Sequence, residues 1–308
     1  MKPRVLLVGD VDYMSKAIRR RLAESEELQL LDEMLPPDDA ARIAESLPRC
    51  DAVVNVVNGA AKAIRRNGVA LATALNACAQ PIRLIHLSSM TVYGLAEGVV
   101  SEDAQLDDGL GAYAAARIAA EQVLCQAAPQ ATVLRLGVEY GPDCPAWTLR
   151  IAHLLRQRRL GDLGAAGDGC CNLVHVEDVA FAVERALITS VAAGQAFNLA
   201  MPNSPSWNEY LTRFALAIRA VPVRRISPTR LVIEKKLLAP PLKILEILSQ
   251  RLGVASPGFA PPIPSSMTRA FAQDIRLDSH RASEVLGIAW RNLDIELRRI
   301  ALQLLPDT

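Results

Sequence analysis

Three short apolar runs constrain this chain more than any other feature. Arg4-Val-Leu-Leu-Val-Gly9, Asp51-Ala-Val-Val-Asn-Val-Val-Asn-Gly59 and Arg83-Leu-Ile-His-Leu87 are nearly continuous in hydrophobicity rather than alternating. A strand that reads this way is buried on both faces, as in a parallel sheet sandwiched by helices. Leu28-Gln-Leu-Leu-Asp32 reads as a further strand, and Gln195-Ala-Phe-Asn-Leu199 as a late one returning to the sheet. Helical stretches separate them, from Tyr13 to Ala23 behind Asp12 as N-cap and from Asp38 to Leu47. Strand–helix alternation of this kind predicts an α/β fold, a doubly wound parallel sheet of Rossmann type, with its crevice at the carboxyl ends of the strands. The expected division is a dinucleotide-binding domain over residues 1–165 and a smaller substrate-binding subdomain over 166–308.

Composition excludes several alternatives. At 51% hydrophobic and 22% charged residues, 308 residues form a sizeable core and do not read as disordered. A net charge of +1 gives no electrostatic reason to expect nucleic acid or a membrane surface as partner. No run approaches the ~18 apolar residues of a membrane span, and the segment before the first strand is too short for a signal peptide. Cys50, Cys78, Cys125, Cys144, Cys170 and Cys171 form no C-x-x-C pair and the four histidines do not gather near them, so no metal site is expected. Reduced thiols and a cytoplasmic location are the natural reading.

The chemistry concentrates in Leu87-Ser-Ser-Met-Thr-Val-Tyr-Gly94 and Tyr113-Ala-Ala-Ala-Arg117. Ser89 closes a strand; Tyr113 opens a helical run with a cation four residues on. Positions i and i+4 share a helix face, so Tyr113 and Arg117 point the same way. A cation beside a phenol favours the phenolate, and a serine within reach can hold a substrate oxygen while the tyrosine moves a proton. That set suits hydride transfer at a carbinol or carbonyl if a nicotinamide lies alongside.

These stretches, with Leu134-Arg-Leu-Gly-Val-Glu-Tyr-Gly-Pro142, Asn172-Leu-Val-His-Val-Glu-Asp-Val-Ala180 and Ile275-Arg-Leu-Asp-Ser-His-Arg-Ala-Ser-Glu-Val-Leu-Gly287, resemble in order the extended short-chain dehydrogenase/reductase superfamily, which includes the NAD-dependent epimerase/dehydratase proteins. By that resemblance Ser89 and Tyr113 match the catalytic serine and tyrosine, and Arg117 stands where the superfamily has lysine. The resemblance implies a dinucleotide site lined by Gly9, Asp12, Met14, Asp32, Val57, Asn58 and Gly59. Asp32 lies 23 residues after Gly9, near the spacing at which an acid accepts from an adenosine ribose, which favours NAD over NADP; a solvated turn aspartate is the alternative. Asn67 matches an asparagine at a helix start and is expected to pin backbone. His175 and Asp178 read as a strand-to-helix junction with Asp178 helping to cap.

Two departures stand out. The phosphate loop G-x-x-G-x-x-G is here Gly9-Asp-Val-Asp12-Tyr-Met-Ser15. A carboxylate ~4 Å from a phosphate costs roughly 4 kcal/mol at an effective dielectric near 20, unless it turns inward to cap the helix. The second departure is Arg117, which is not equivalent to lysine at a constrained site. Where dehydratases of this type carry T-D-E, the chain reads Ser89-Met90-Thr91, so an epimerase or carbonyl reductase is implied rather than a dehydratase. Val138 in place of asparagine and an apolar C-terminal region point to a relatively apolar small-molecule substrate. The competing expectation is a repurposed fold with weak or no nicotinamide binding, serving as a non-redox enzyme, a sensor or a scaffold. A homodimer is expected by analogy alone. Leu237 onward reads as an amphipathic helix, and Ser206-Trp-Asn-Glu as a capping box.

Overall fold

The computed structural model describes residues 2–227, 229–230 and 263–304, so the helix expected from Leu237 lies outside the described residues. The chain divides into two compact units. The first takes Met1–Glu139, Val174–Pro202 and Leu277–Trp290; the second takes Tyr140–Leu173, Asn203–Arg276 and Arg291–Thr308.

Along the chain the elements run β1 (Arg4–Gly9), α1 (Tyr13–Ala23), β2 (Gln29–Leu35), α2 (Ala40–Ser46), β3 (Ala52–Val56), α3 (Ala61–Ala77) and β4 (Arg83–Ser89). Then come β5 (Gly98–Val100), α4 (Ala112–Ala127), β6 (Thr132–Leu136), β7 (Val138–Tyr140), α5 (Arg150–Arg156), β8 (Leu173–His175), α6 (Val176–Ile188) and β9 (Ala196–Leu199). The described remainder holds α7 (Trp207–Ala217), α8 (Ser265–Ala272), β10 (Ile275–Leu277), α9 (His280–Leu286) and α10 (Leu293–Leu304).

Six strands form one sheet in the order β2-β1-β3-β4-β6-β9, and every pairing is parallel. This is the doubly wound sheet that doubly buried strands require. Successive crossovers run in opposite directions from β1, so the ends of β1 and β3 flank the switch point where such sheets bind ligands. Both faces are covered. Ile18 and Leu22 of α1, Val179 and Val183 of α6 and Leu286 of α9 share a core with Val5, Leu7, Val54, Ile85 and Leu134. On the opposite face Ile43, Leu71, Leu75 and Leu124 meet Leu6, Val8, Val53 and Leu84. Alternate residues of each strand thus enter different cores, which is why the strands read apolar throughout.

Helices α3 and α4 cross closely because Gly68 has no side chain; a Cβ there would lie 3.2 Å from the Ala120 Cα. Their contact carries Ile64, Ala116 and Ala120 against Val57 and so fixes α4 beside the loop that follows β3.

Two local expectations change. Strand β2 continues three residues beyond Asp32, with Met34 and Leu35 pairing to Leu7 and Val8 after a register shift. It is the sheet's edge, where outward polar side chains such as Asp32 do not end a strand. Asn67 lies inside α3, which starts at Ala61, although its amide does pin backbone, donating to the Pro37 carbonyl at 2.8 Å. Helix α6 follows β8 directly and is capped by His175, whose Nδ1 accepts from the Glu177 N–H at 3.2 Å, with Asp178 buried in the same first turn.

In the second unit α7 opens with the capping box of Ser206 and Glu209. It buries Trp207, Tyr210 and Phe214; the Trp207 ring lies 4.8 Å from Phe271 and 5.2 Å from Trp147 between centroids. Trp147 sits half-exposed on a π-helical turn, Pro145–Leu149. Among the described residues no helix is long and apolar enough to cross a membrane, and no cluster of side chains suits a metal ion.

Candidate active site

The one-turn spacing of Tyr113 and Arg117 on α4 becomes a direct fork. Arg117 donates to the Tyr113 hydroxyl through Nε at 3.1 Å and Nη2 at 2.9 Å, with its guanidinium carbon 5.2 Å from the phenol ring centroid. Its Nη1 donates to the Leu87 carbonyl at 3.0 Å and its Nη2 reaches Asn58 Oδ1 at 3.4 Å. Arg117 is only 4% exposed, whereas Tyr113 is half-buried. The guanidinium is therefore held by β4, by the loop after β3 and by its own helix, beside a half-buried phenol.

Ser89 lies two residues beyond Leu87, about 7 Å further along the strand. Its Oγ accepts from the Thr91 N–H at 3.3 Å, an arrangement that leaves its hydroxyl proton for a further acceptor. Asn58 and Gly59 are exposed and Val57 is buried. Asn58 folds back so that Oδ1 also accepts from the Gly59 N–H at 2.9 Å, making it a support for Arg117 as well as part of the crevice wall. Among the described residues no hydrogen bond joins Ser89 to Tyr113; what the fold joins directly is Tyr113, Arg117, Asn58 and the Leu87 carbonyl.

The phosphate loop keeps its essential turn. Gly9 has φ +148°, and a Cβ there would meet the Val56 carbonyl oxygen at 1.8 Å, so β1 and β3 can close only over glycine. The two departures downstream are one feature. Asp12 Oδ1 accepts from the Ser15 N–H at 2.8 Å, and Ser15 Oγ accepts from the Asp12 N–H at 2.9 Å, a reciprocal cap. The carboxylate is committed to its own helix rather than left pointing at a phosphate. Among the described hydrogen bonds none uses the Met14 N–H, which remains at the helix N-terminus where anions bind. Space is open over Gly59, where a Cβ would meet nothing within 4 Å. These residues fit a dinucleotide.

The fold does not bring Asp32 to that crevice. It is exposed in mid-strand, its carbonyl accepting from Arg19, and lines a cavity with Lys2, Arg4 and Asp51 at the opposite end of the sheet. The acid beyond the true end of β2 is Asp38. It lies near enough to Asp10 to help raise that carboxyl's pKa, after burial and Asp12, and pairs with Arg66 at 2.6 Å.

Two groups were missed by sequence reasoning. Glu139 of β7 hydrogen-bonds the Tyr13 hydroxyl; burial pushes its carboxyl up, while Tyr13 and Arg117 pull it back down. Its signal was a lone charge between Val138 and Tyr140. The second is a seam under α3: Asn55 Nδ2 donates to Asn67 Oδ1 at 2.9 Å and lies 3.1 Å from His86 Nδ1. Burial, and secondarily Arg117, push the His86 pKa down to about 3.

Comparison with known proteins places these features in context. The model for the NAD dependent epimerase/dehydratase family matches residues 14–200. No curated protein matches. Among solved structures, RMD from Pseudomonas aeruginosa complexed with NADPH aligns over 98% of both chains at 17% identity and TM-score 0.72. UDP-glucose 4-epimerase from Thermotoga maritima with UDP-glucose aligns over 98% of both chains at 15% and 0.70. UDP-glucuronic acid 4-epimerase from Bacillus cereus, with UDP-glucuronic acid and NAD, aligns over 98% of this chain and 100% of its own at 16% and 0.67. At such identities the likeness is one of fold.

Proposed function

The chain belongs to the NAD dependent epimerase/dehydratase family, and from that premise we propose that it is an NAD(P)-dependent oxidoreductase or epimerase acting on a carbonyl or hydroxyl group of a relatively apolar small molecule. The observation that carries this reading is the Arg117 fork on the Tyr113 hydroxyl. A nicotinamide dinucleotide, when bound, accepts or supplies the hydride. Tyr113 takes or returns the proton on the substrate oxygen, with Arg117 stabilising charge on the phenol oxygen. Ser89 donates to the same substrate oxygen, its own lone pair being held by Thr91. Gly9 and the Met14 N–H receive the pyrophosphate, Val57, Asn58 and Gly59 border the nicotinamide ribose, and Asp38 replaces Asp32 as the acid for the adenosine ribose. Absence of an acid at Met90 or Thr91 argues against dehydration.

The repurposed-fold reading is favoured by one observation. Arg117 already spends Nε, Nη1 and Nη2 on protein acceptors, which leaves little to anchor a ribose. Calorimetric titration of the full chain with NAD+, NADH and NADPH separates the two. The redox reading expects a dissociation constant between about 1 µM and 1 mM for at least one of them, the usual range for enzyme ligands. Well-folded protein that binds none would remove the hydride carrier and leave the repurposed fold.

A further inference from the structure

Beyond β2 the chain passes alongside the Gly9 turn, because Leu35 pairs with Val8 in the parallel register. The residues that follow are pinned from α3 at two successive points. Asn67 Nδ2 donates to the Pro37 carbonyl at 2.8 Å, and Arg66 Nη2 lies 2.6 Å from Asp38 Oδ2. Asn67 is fully buried and exchanges two amide hydrogen bonds with Asn55 of β3, so the helix that carries Arg66 is fixed against the loop that carries Asp38. The acid assigned above to the adenosine ribose is therefore not a lone carboxylate. A lone acid there discriminates twice, accepting from the ribose 2′-OH and repelling a 2′-phosphate. Pairing with Arg66 offsets the repulsion and leaves the acceptor. Among the described residues no other hydrogen bond or ion pair engages either side chain, so Asp38 keeps Oδ1 for a hydroxyl and Arg66 keeps Nε and Nη1 for a phosphate. A guanidinium suits that role, since its planar fork matches phosphate oxygens two at a time. Lys62, exposed one turn earlier on the same face, adds a second cation, and α3 carries no acid from Ala61 to Ala77. Against these stand Asp10, next to Gly9, and Asp39, whose Oδ1 is held by the Arg42 N–H at 3.0 Å.

We infer that the Asp38–Arg66 pair makes the crevice accept NADP(H) as well as NAD(H), with Arg66 as the group that receives the 2′-phosphate. This inference rests on the nicotinamide-dependent reading given above, and it removes the preference for NAD that an acid alone would impose. With NAD(H) the pair stays closed and Asp38 Oδ1 accepts from the 2′-OH. With NADP(H) Arg66 turns its remaining donors to the phosphate, and that attraction offsets repulsion by the carboxylate. Both side chains keep the solvent exposure that such an exchange needs, 61% for Arg66 and 39% for Asp38.

The test is the ratio of dissociation constants for NADH and NADPH, measured by calorimetry on the full chain. Wild type is expected to bind both, with constants within about tenfold of each other. Arg66→Gln should weaken NADPH and move the ratio about tenfold towards NADH, the effect of losing one hydrogen bond to a charged group. Asp38→Asn, which keeps an acceptor for the hydroxyl, should move it towards NADPH. Arg65→Gln removes the same charge from the next position and should move it by less than about threefold. Wild type that binds NADH more than about tenfold tighter than NADPH overturns the inference while the redox reading stands. So does a shift below about threefold in Arg66→Gln, or an equal shift in Arg65→Gln. Wild type that binds neither cofactor removes both.

Discussion

The first unit contains two pairs of a buried arginine with a tyrosine, of nearly the same geometry and opposite meaning. Arg135 lies 5.2 Å from the Tyr93 ring and Arg117 lies 5.2 Å from the Tyr113 ring. Arg135 Nη2 meets Glu121 Oε2 at 2.9 Å, and its Nη1 donates to the Tyr93 hydroxyl at 3.0 Å and the Glu102 carbonyl at 2.9 Å. Burial pulls the Arg135 pKa down, but Glu121 and Tyr93 outweigh it and hold it above its ordinary value. The Tyr93 hydroxyl then donates to Asn198 Oδ1 at 2.6 Å, closing a network that braces the turn after Ser89 against β6 and β9. Arg117, by contrast, touches only neutral acceptors; among the described residues no carboxylate lies within ion-pair distance of it. Its charge is felt by His86 and Glu139 instead. A cancelled charge builds scaffold, and an uncancelled one beside a hydroxyl is available for chemistry.

The largest effect expected from this contrast is on turnover. Tyr113→Phe leaves the fork without its oxygen and should lower hydride transfer about a thousandfold, followed by dinucleotide absorbance with whatever substrate the wild type accepts. Its melting temperature should hold. Tyr93→Phe, in the cancelled pair, should do the reverse in kind, and equal losses of turnover in both variants would erase the distinction.

Next is stability. Arg135→Met strands the Glu121 carboxylate, which is 4% exposed, and should cost about 3–5 kcal/mol in urea unfolding. A loss below about 1 kcal/mol would show that Arg135 is not the brace described.

A smaller effect, spread over pH, comes from His86. Its folded pKa of about 3 lies below its ordinary value of 6.5, so the unfolded chain takes up a proton that the folded one refuses. The stability tied to the neutral imidazole is fully present above about pH 6.5 and drains away as pH falls towards 3. It amounts to at most about 5 kcal/mol across that window. Unfolding at pH 7 and pH 4.5 should show a slope that His86→Gln flattens. Because Arg117 supplies part of the depression, Arg117→Met should raise the folded-state His86 pKa, read by NMR titration of the imidazole, and an unchanged value would mean the Arg117 charge is cancelled after all.

What the sequence made legible follows the same physics. Doubly buried strands carry their own signature, so the sheet could be read from Arg4–Gly9, Asp51–Gly59 and Arg83–Leu87. The i, i+4 spacing placed Tyr113 beside Arg117 because a helix alone determines it. Asp32 misled because β2 is an edge strand, whose polar outer residues look like a strand's end. Asp12 and Ser15 read as two separate losses of glycine, although Asp-x-x-Ser at a helix start is a capping pattern. Glu121 with Arg135, and Tyr13 with Glu139, meet only through the tertiary fold, and no local spacing announces them.

The most direct test of the central claim is turnover of Arg117→Met at matched folded fraction, set against Arg135→Met. An uncancelled guanidinium on the Tyr113 oxygen predicts that Arg117→Met loses at least a hundredfold in turnover while its unfolding free energy falls by no more than about 2 kcal/mol. An Arg117→Met protein that keeps its turnover, or that loses its fold as Arg135→Met does, would contradict the account.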